Sequence, residues 1–402
     1  IPFERIQSLN YKESILHRPF KLVKVSLETA SDSSDSEAEL TAISMDQAKM
    51  IEEEMRLAKR QKEKNQPLQD VAEGVSDATA TIKKEIYTIT NKELILLAST
   101  SSSMGLLFSG IAALGSQFSD WIPYEEIYGE MQSLIKFGVL FIILLVLFIV
   151  LISWVVAVAI SYIGNYGFLL EEGENQLFVS KGLLEKKRIT LPVHRIQAIR
   201  IVENPLRQLF GYCRVIVDSA GNSGDSNEDK IVLMPFIKKS KAQDLLKELF
   251  PQQNWQQHYK KAPRKSLMRY LLKPVYIVAI PLAICSIYFY PYGLISLTIL
   301  VIVILLAYGQ YRTAGYQIEG NQLTFVFRGI SKTTFITEKR RIQSLKQTQT
   351  IFAERKDVAS IHAHIMSGST GDTAGVKHFD LEDMQEIMEW YKPLEEKNGG
   401  IN

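Results

Sequence analysis

Two cysteines in 402 residues are too few for a disulfide framework. Cys213 lies in a charge-rich segment and Cys285 in an apolar one, at no zinc-finger spacing. Net charge is only +2, so no basic field advertises nucleic-acid binding. G-x-S-x-G, Walker A, G-x-G-x-x-G and H-E-x-x-H motifs are missing, and with them the common hydrolase, nucleotide and metalloprotease signatures. No signal peptide follows the first residue, Ile1; the chain is expected to be cut, starting inside a domain. Charge itself is missing from two stretches: Phe137–Leu170 and Pro274–Tyr311 contain no Asp, Glu, Lys or Arg. Each exceeds the ~20 apolar residues that cross a bilayer once, so a purely soluble enzyme is not the expectation.

Four spans are read from the apolar runs. Leu94–Phe118 is rich in serine and small residues, which allow close helix approach in a membrane. Phe137–Ile163 is the strongest. Pro274–Tyr290 and Tyr292–Tyr308 flank the turn Pro291-Tyr292-Gly293, and Pro281 should kink the third helix. Lys260, Lys261, Arg264, Lys265, Arg269 and Lys273 precede the third span. The loop Ser119–Leu134 carries acidic residues and no Lys or Arg. By the positive-inside rule both hairpin turns face out and the large segments are cytoplasmic. The same basic cluster could instead meet anionic lipid.

The tripeptide Arg-Ile-Gln occurs at Arg5–Gln7, Arg195–Gln197 and Arg341–Gln343. Ile1–Ser31 aligns with Leu191–Gly221 without a gap, and nine of 31 positions are identical, among them Glu13 with Glu203 and Phe20 with Phe210. Chance gives roughly two at average usage. Each repeat ends in an amphipathic helical stripe, such as Leu245, Leu246, Leu249 and Phe250. In repeat two, short strands and turn signals precede that helix. They predict a small antiparallel sheet or barrel capped by it.

Three stretches carry a family resemblance: KGLLEKKRITLPVHRIQAI from Lys181, NPLRQLFGYCRVIV from Asn204, and the exit Asp218-Ser219-Ala220-Gly221. They resemble the bacterial pleckstrin-homology (PH) domains of the YdbS/YdbT-like membrane proteins. Repeat three departs from the pattern, lacking the Pro before its Arg-Ile-Gln and the Leu-Phe-Gly turn. The resemblance implies a fold of membrane α-helical hairpins plus mainly-β, PH-like barrels, each partly open, seven-stranded and capped by a C-terminal helix. It does not imply an enzyme.

The expected boundaries are 1–60 for the latter part of a first PH-like domain, 61–91 for a charged linker and 94–163 for hairpin one. A second domain at 164–251, a basic juxtamembrane linker at 252–273 and hairpin two at 274–308 follow. A third domain at 313–393 and a tail at 394–402 complete the chain.

Candidate binding residues are Arg5, Gln7, Arg195, Gln197, Arg341 and Gln343 of the repeated motif, and the basic run Lys186, Lys187 and Arg188. The motif arginines could hold a phosphate or carboxylate; alternatively, Arg and Gln satisfy backbone groups at a strand crossing. Recurrence in all three repeats favours the second role. The basic run could meet anionic headgroups or form a solvated strand. The loop Glu171–Asn175, where phosphoinositide-binding relatives of this fold are basic, is acidic here. His362 and His364 share a strand face without further ligands at metal spacing. No catalytic residue, metal or cofactor is expected. Membrane lipids, partner membrane proteins or further copies of the chain are the expected partners, with no nucleic acid. The leading expectation is a non-catalytic, multi-pass interaction scaffold, with envelope protection as its broader setting. The alternative is a transporter or channel component, although its spans would carry no ionisable residue.

Overall fold

The computed structural model describes residues 6–14, 18–20, 22–29, 38–48, 50–51, 53–54, 84–100, 139–220, 230–256, 258–288, 297–368 and 371–392. The expected first span beyond residue 100, most of the linker and the turn of hairpin two lie outside them.

Repeat one contributes β1 (Ile6–Glu13), β2 (Leu22–Thr29) and β3 (Ala38–Ser44), followed by helical residues from 45 onward. Repeat two starts with β4 (Lys84–Thr88), α1 (Asn91–Ser99) and α2 (Val139–Asn165). It continues with β5 (Leu169–Gly173), β6 (Gln176–Lys181), β7 (Lys186–Pro192), β8 (Ile196–Glu203), α3 (Pro205–Leu209), β9 (Tyr212–Ser219), β10 (Lys230–Lys238) and the closing helix α4 (Lys239–Leu249). Repeat three runs β11 (Lys260–Lys261), α5 (Leu267–Tyr288), α6 (Leu297–Thr313), β12 (Gly315–Glu319), β13 (Gln322–Arg328) and β14 (Lys332–Glu338). It ends with β15 (Ile342–Thr348), α7 (Ile351–Glu354), β16 (Val358–Ile365), β17 (Asp372–Asp380) and α8 (Leu381–Tyr391).

The apolar helices are inserted between the first and second strands of a unit. β4 precedes α1 and α2, yet pairs antiparallel with β5 after them, Thr88 facing Leu169. β11 likewise pairs with β12 across α5 and α6, Lys260 facing Tyr316. This corrects two expected boundaries. Residues 84–88 are strand rather than linker, and so are 260–261. Neither KEIYT nor KK shows an alternating apolar pattern, and each finds its partner only beyond an apolar helix pair. α1 is opened by a capping box: Thr90 accepts from the Glu93 N–H (3.4 Å), while the Glu93 carboxylate accepts from the Thr90 N–H (3.0 Å). α5 starts at Leu267 and α6 ends at Thr313, so both overrun the expected hairpin at 274–308.

The expectation of one small barrel per repeat is also corrected: the sheets do not close, and they are shared. One seven-stranded sheet has the order β3-β2-β1-β7-β6-β5-β4, and the second β10-β9-β8-β14-β13-β12-β11. The last three strands of one repeat therefore extend the first four of the next. Tyr11, Lys12 and Glu13 face Arg188, Lys187 and Lys186. At the second junction Lys332 through Thr337 face Glu203 through Ala198. β15, β16 and β17 form a third sheet. The cause is the corner between β7 and β8. Pro192 and the 3-10 turn Val193–Arg195 carry the chain out of one sheet into the other. The edge of β8 then needs a partner, and β14 of the next repeat supplies it.

Each unit keeps its own core between two sheets. Repeat two buries Phe168, Leu170, Leu177 and Leu191 from one sheet against Ile199, Val215, Val217 and Leu233 from the other, with Leu246 and Phe250 of the closing helix over them. Repeat three packs Phe325 and Phe335 against Ile361, Ala363 and Phe379 beneath Met384 and Ile387. Each of these side chains larger than alanine contributes about 1.5–3 kcal/mol by leaving water. The stripes of the closing helices of repeats two and three fall where their periodicity predicts; that of repeat one, with Met55, lies partly outside the described residues.

If the second sheet is continuous, damage to β14 must reach repeat two. Thr334, buried and facing Ile201, is the position to change. Thr334→Pro removes a ladder donor and should cost about 1–3 kcal/mol. Hydrogen exchange should then speed up in β8 and β9 as well as in β13. Faster exchange confined to repeat three would contradict a shared sheet.

Candidate functional site

The repeated motif lies at the corner where the chain changes sheets. Arg195 is buried. Its carbonyl accepts from the Ala220 N–H (3.1 Å) and from Gln197 Nε2 (3.0 Å). The Gln197 carbonyl accepts from Thr337 Oγ1 on β14 (2.8 Å), so the motif of repeat two also ties to repeat three. In repeat three Gln343 is exposed, and the carbonyls of Ile342 and Gln343 accept from the Tyr391 hydroxyl at 3.1 and 3.2 Å. Arg341 is half-buried beside them. Arg5 lies outside the described residues; Gln7 is in β1, its side chain outside them. Among the described residues, the copies of repeats two and three lie at separate 3-10 turns, Val193–Arg195 and Lys339–Arg341.

The basic run is the seam between repeats one and two. β7 is paired with β6 on one side and β1 on the other. Arg188 reaches Glu171 (3.4 Å) and lies 5.2 Å from the centre of the Phe178 ring. Lys187 and Lys12 share Glu185 at 3.5 and 3.2 Å. Lys186 is exposed. Glu171, in the acidic segment that counts against a phosphoinositide site, is thus also the partner of Arg188.

The densest charge cluster holds the next seam, and the residue pattern did not point to it. Arg200 on β8 bonds Asp218 on β9 (2.5 Å) and Asp372 on β17 (2.7 Å), and stacks 4.7 Å over the Phe335 ring. Lys230 adds a second cation to Asp372 (2.7 Å), and Ser367 donates to Asp218 (3.4 Å). Arg200 and Asp218 are buried. Burial pushes the Asp218 carboxyl up, with Arg200 opposing it. Burial acts the same way on Asp372, but the Lys230 hydrogen bond and Arg200 hold that carboxyl below its ordinary value. A second set flanks it: buried Glu203 meets Lys239 (3.1 Å) and Lys332 (3.3 Å). Burial pulls the Lys332 ammonium down, against Glu203. Opposite charges compensate one another in both sets, which makes them clamps between strands. The one available signal was the repeated Glu13 and Glu203, eight residues beyond each motif arginine.

Arg207, inside the NPLRQLF stretch, grips the end of α1, whose Leu94 and Leu97 are buried in the core of repeat two. Its guanidinium donates to Leu97 O (3.4 Å) and Thr100 Oγ1 (3.0 Å) at the end of α1, and to Pro235 O (3.3 Å). Burial lowers its pKa to about 10, so it stays charged at neutral pH. The end of α2 is held by the β6–β7 loop, where the N–H groups of Gly182 and Leu183 donate to Tyr166 O and Ile163 O at 2.9 and 3.0 Å. Gly182 has φ +107°, and a Cβ there would stand 2.0 Å from Glu185 O, so only glycine fits. The root of α5 is tied to repeat three: Lys260 pairs with Asp383 (2.5 Å), Lys265 with Asp380 (2.6 Å), and the Tyr270 hydroxyl donates to Lys377 O (2.7 Å). Two of the basic residues that set the expected orientation are therefore also structural ties.

An open groove of about 940 Å³ lies between residues 252–254 and repeat three, lined by Asn254, Gln322, Lys339, Arg340 and Tyr391 among others. His364 shares a hydrogen bond with Thr373 (2.8 Å). Among the described residues no group of three or more His, Cys, Asp or Glu side chains gathers as a metal would require. His378 sits apart, half-buried at φ +59°, its ring edge-on to Tyr270 at 5.4 Å. Its Nδ1 has no hydrogen-bond partner. Burial, with Arg269, Lys377 and Lys273, lowers its pKa to about 4.

Sheets shared between units, motif corners and helix-anchored roots define a chain of repeated β modules, and the comparisons agree. The family model of the bacterial PH domain matches residues 1–59, 128–253 and 273–395. The chain belongs to the bacterial PH domain family. It is similar to the UPF0699 transmembrane protein YdbT of Bacillus subtilis (strain 168), at 31% identity over 394 residues, covering 97% of this chain and 80% of that protein. No solved structure matches.

Two measurements test this geometry. Arg200→Met strands the buried Asp218 and should cost about 3–5 kcal/mol, whereas an exposed pair such as Arg340 with Glu338 should cost under about 1 kcal/mol. Equal losses in denaturant titrations would contradict the clamp. His378, neutral when folded, is protonated first in the unfolded chain. Its contribution is complete above about pH 6.5 and is lost as pH falls toward about 4. His378→Asn, which tolerates positive φ, should flatten the melting temperature of repeat three between those pH values.

Proposed function

We propose that this chain is a non-catalytic, multi-pass membrane protein that holds PH-like lobes on the cytoplasmic side, where they meet other proteins, further copies of the chain or the lipid surface. The observation that carries this reading is the insertion of each helix pair between the first two strands of a unit. A lobe built that way cannot leave its helices without opening its sheet. The helices suit a bilayer. Arg264–Tyr288 is long and apolar enough to cross, α2 runs 27 uncharged residues, and the 17 residues of α6 reach the lower limit of ~17. The name of the Bacillus subtilis relative, a transmembrane protein, supports the same placement.

Orientation rests on Lys and Arg near the α5 root and their lack between residues 119 and 134. Tethering several weak lobes to one surface raises their effective concentration there, so that modest affinities act together. Envelope protection is the broader role we assign, because such an array suits surveillance of the membrane better than chemistry on a small molecule.

Impermeant maleimide on intact cells tests the topology. Tyr292→Cys, in the expected outer turn, should label at once, and Lys247→Cys on α4 only after permeabilisation. Labelling of Lys247→Cys in intact cells would overturn the cytoplasmic placement. Crosslinking in native membranes should recover partner proteins or multimers; isolated monomers without lipid dependence would overturn the scaffold role.

A further inference from the structure

The corner after the first strand of each half-sheet carries large apolar side chains that the fold leaves outside. In repeat two it is α3, where Leu206, Leu209 and Phe210 are 58%, 78% and 68% exposed. In repeat one it is the 3-10 turn Arg18–Phe20, with Phe20 75% exposed. Phe20 and Phe210 are one of the nine identical pairs in the gapless repeat alignment. In repeat three, α7 carries Ile351 and Phe352, 73% and 71% exposed. A soluble domain gains nothing from the same costly exposure at three equivalent corners.

The position of these corners identifies what covers them. At the second seam, α3 is bonded to the β13–β14 loop of repeat three: Arg328 Nη2 donates to Gln208 Oε1 (2.5 Å) and Ser331 Oγ to Asn204 Oδ1 (2.6 Å). That loop adds Ile330, 68% exposed, to the patch. On one side of the patch Arg207 holds the end of α1, at Leu97 and Thr100. On the other, Gln310 near the end of α6 donates to Gly329 O (3.5 Å). The patch is therefore bonded both to the end of α1 and to the end of α6. The first seam repeats the arrangement. β1 pairs with β7 as β8 pairs with β14, which brings Phe20 to the side of the β6–β7 loop. That loop caps α2 and presents Leu184, 44% exposed.

We propose that these tips enter the bilayer interface: Leu206, Leu209 and Phe210 with Ile330 at one seam, Phe20 with Leu184 at the other. They seat the lobes on the same leaflet from which their helices emerge. The occupant is phospholipid at the boundary between headgroups and acyl chains, reached to a depth of about 5–10 Å. What surrounds the ends of α6 and α2 also reaches Ile330 and Leu184, because each lies one residue from a hydrogen bond to that helix end; Phe20 follows through the β1–β7 pairing. Seating several tips adds contacts with the bilayer beside the helices themselves and so fixes the tilt of a shared sheet. This inference rests on the membrane-spanning reading above.

The test uses the full chain with Cys285→Ala, retaining Cys213, which is buried and whose thiol is pushed up to about 12. A single NBD fluorophore is placed at Leu209→Cys, at Ile280→Cys within α5, or at Lys247→Cys on α4. The protein is reconstituted into phosphatidylethanolamine–phosphatidylglycerol vesicles carrying nitroxide lipids. At position 209, emission should shift to the blue, and shallow nitroxides should quench it at least twofold more than at 247; deep nitroxides should quench position 280. Position 280 in lipid with 209 open to aqueous iodide would overturn the tips alone. Position 209 shielded from iodide yet unquenched by lipid would mean a protein covers it, and would also overturn the proposal. Iodide access at 280 would overturn the membrane reading itself. Without a label, amide exchange over residues 204–212 should be at least fivefold slower in vesicles than in the Leu206→Ser, Phe210→Ser variant; equal rates would count against insertion.

Discussion

Strand pairing across repeats is the constraint on which the molecule depends. A three-stranded half-sheet ending at β8 exposes a row of backbone donors and acceptors, and unpaired edges invite aggregation. Here β14 of the next unit fills that edge, as β7 fills the edge of β1. Each unit thus owns a core but shares at least one of the sheets beside it with a neighbour. The repeats cannot behave as beads on a string, because separating two of them breaks a ladder and not merely a contact surface.

The charge clusters follow from that sharing. A sheet seam is selective for register only through what its side chains meet, since the backbone ladder accepts shifts by two. Glu203 directly faces Lys332 across the seam and ion-pairs with it and with Lys239. A slip by two residues would leave Glu203 among apolar and hydroxyl side chains. Arg200 acts at right angles to this, reaching from β8 to β17 and so binding the second sheet to the third. Buried ion pairs are weak sources of net stability but strong penalties against wrong arrangements, and register selection is the use their positions fit.

Much of this was legible in the residues. The strands of repeat two, the closing helices and the internal repeat follow from alternation, helical spacing and the recurring Arg-Ile-Gln. The joints between units were not legible. β4 and β11 are short and lack alternation, and their partners lie beyond an inserted helix pair, so no local window links them. That β1 joins β7 instead of closing its own barrel depends on the turn at Val193–Arg195, whose direction the sequence does not state. The clamp was hidden for a related reason. Arg200, Asp218 and Asp372 are far apart in sequence, each a single charge in a strand, and only the fold assembles them. The motif arginines drew attention by recurring, yet the groups seen around Arg195 and Gln197 serve a corner.

The placement of the inserted helices gives these joints a mechanical meaning. A helix pair appended to a domain's end transmits little beyond position. Inserted between β4 and β5, it shares two strands with the sheet, and through β7 and β1 with the neighbouring unit. Arg207 and the Gly182 loop clamp the helix ends to opposite sheets of repeat two: α3 follows β8, and the β6–β7 loop belongs to the other sheet. Tilting that pair would therefore shear the two halves of one core against each other. Close-packed cores resist continuous deformation, so the lobe and its helices should move as one body, and a displacement of the helices would reach the neighbouring unit through the shared sheet.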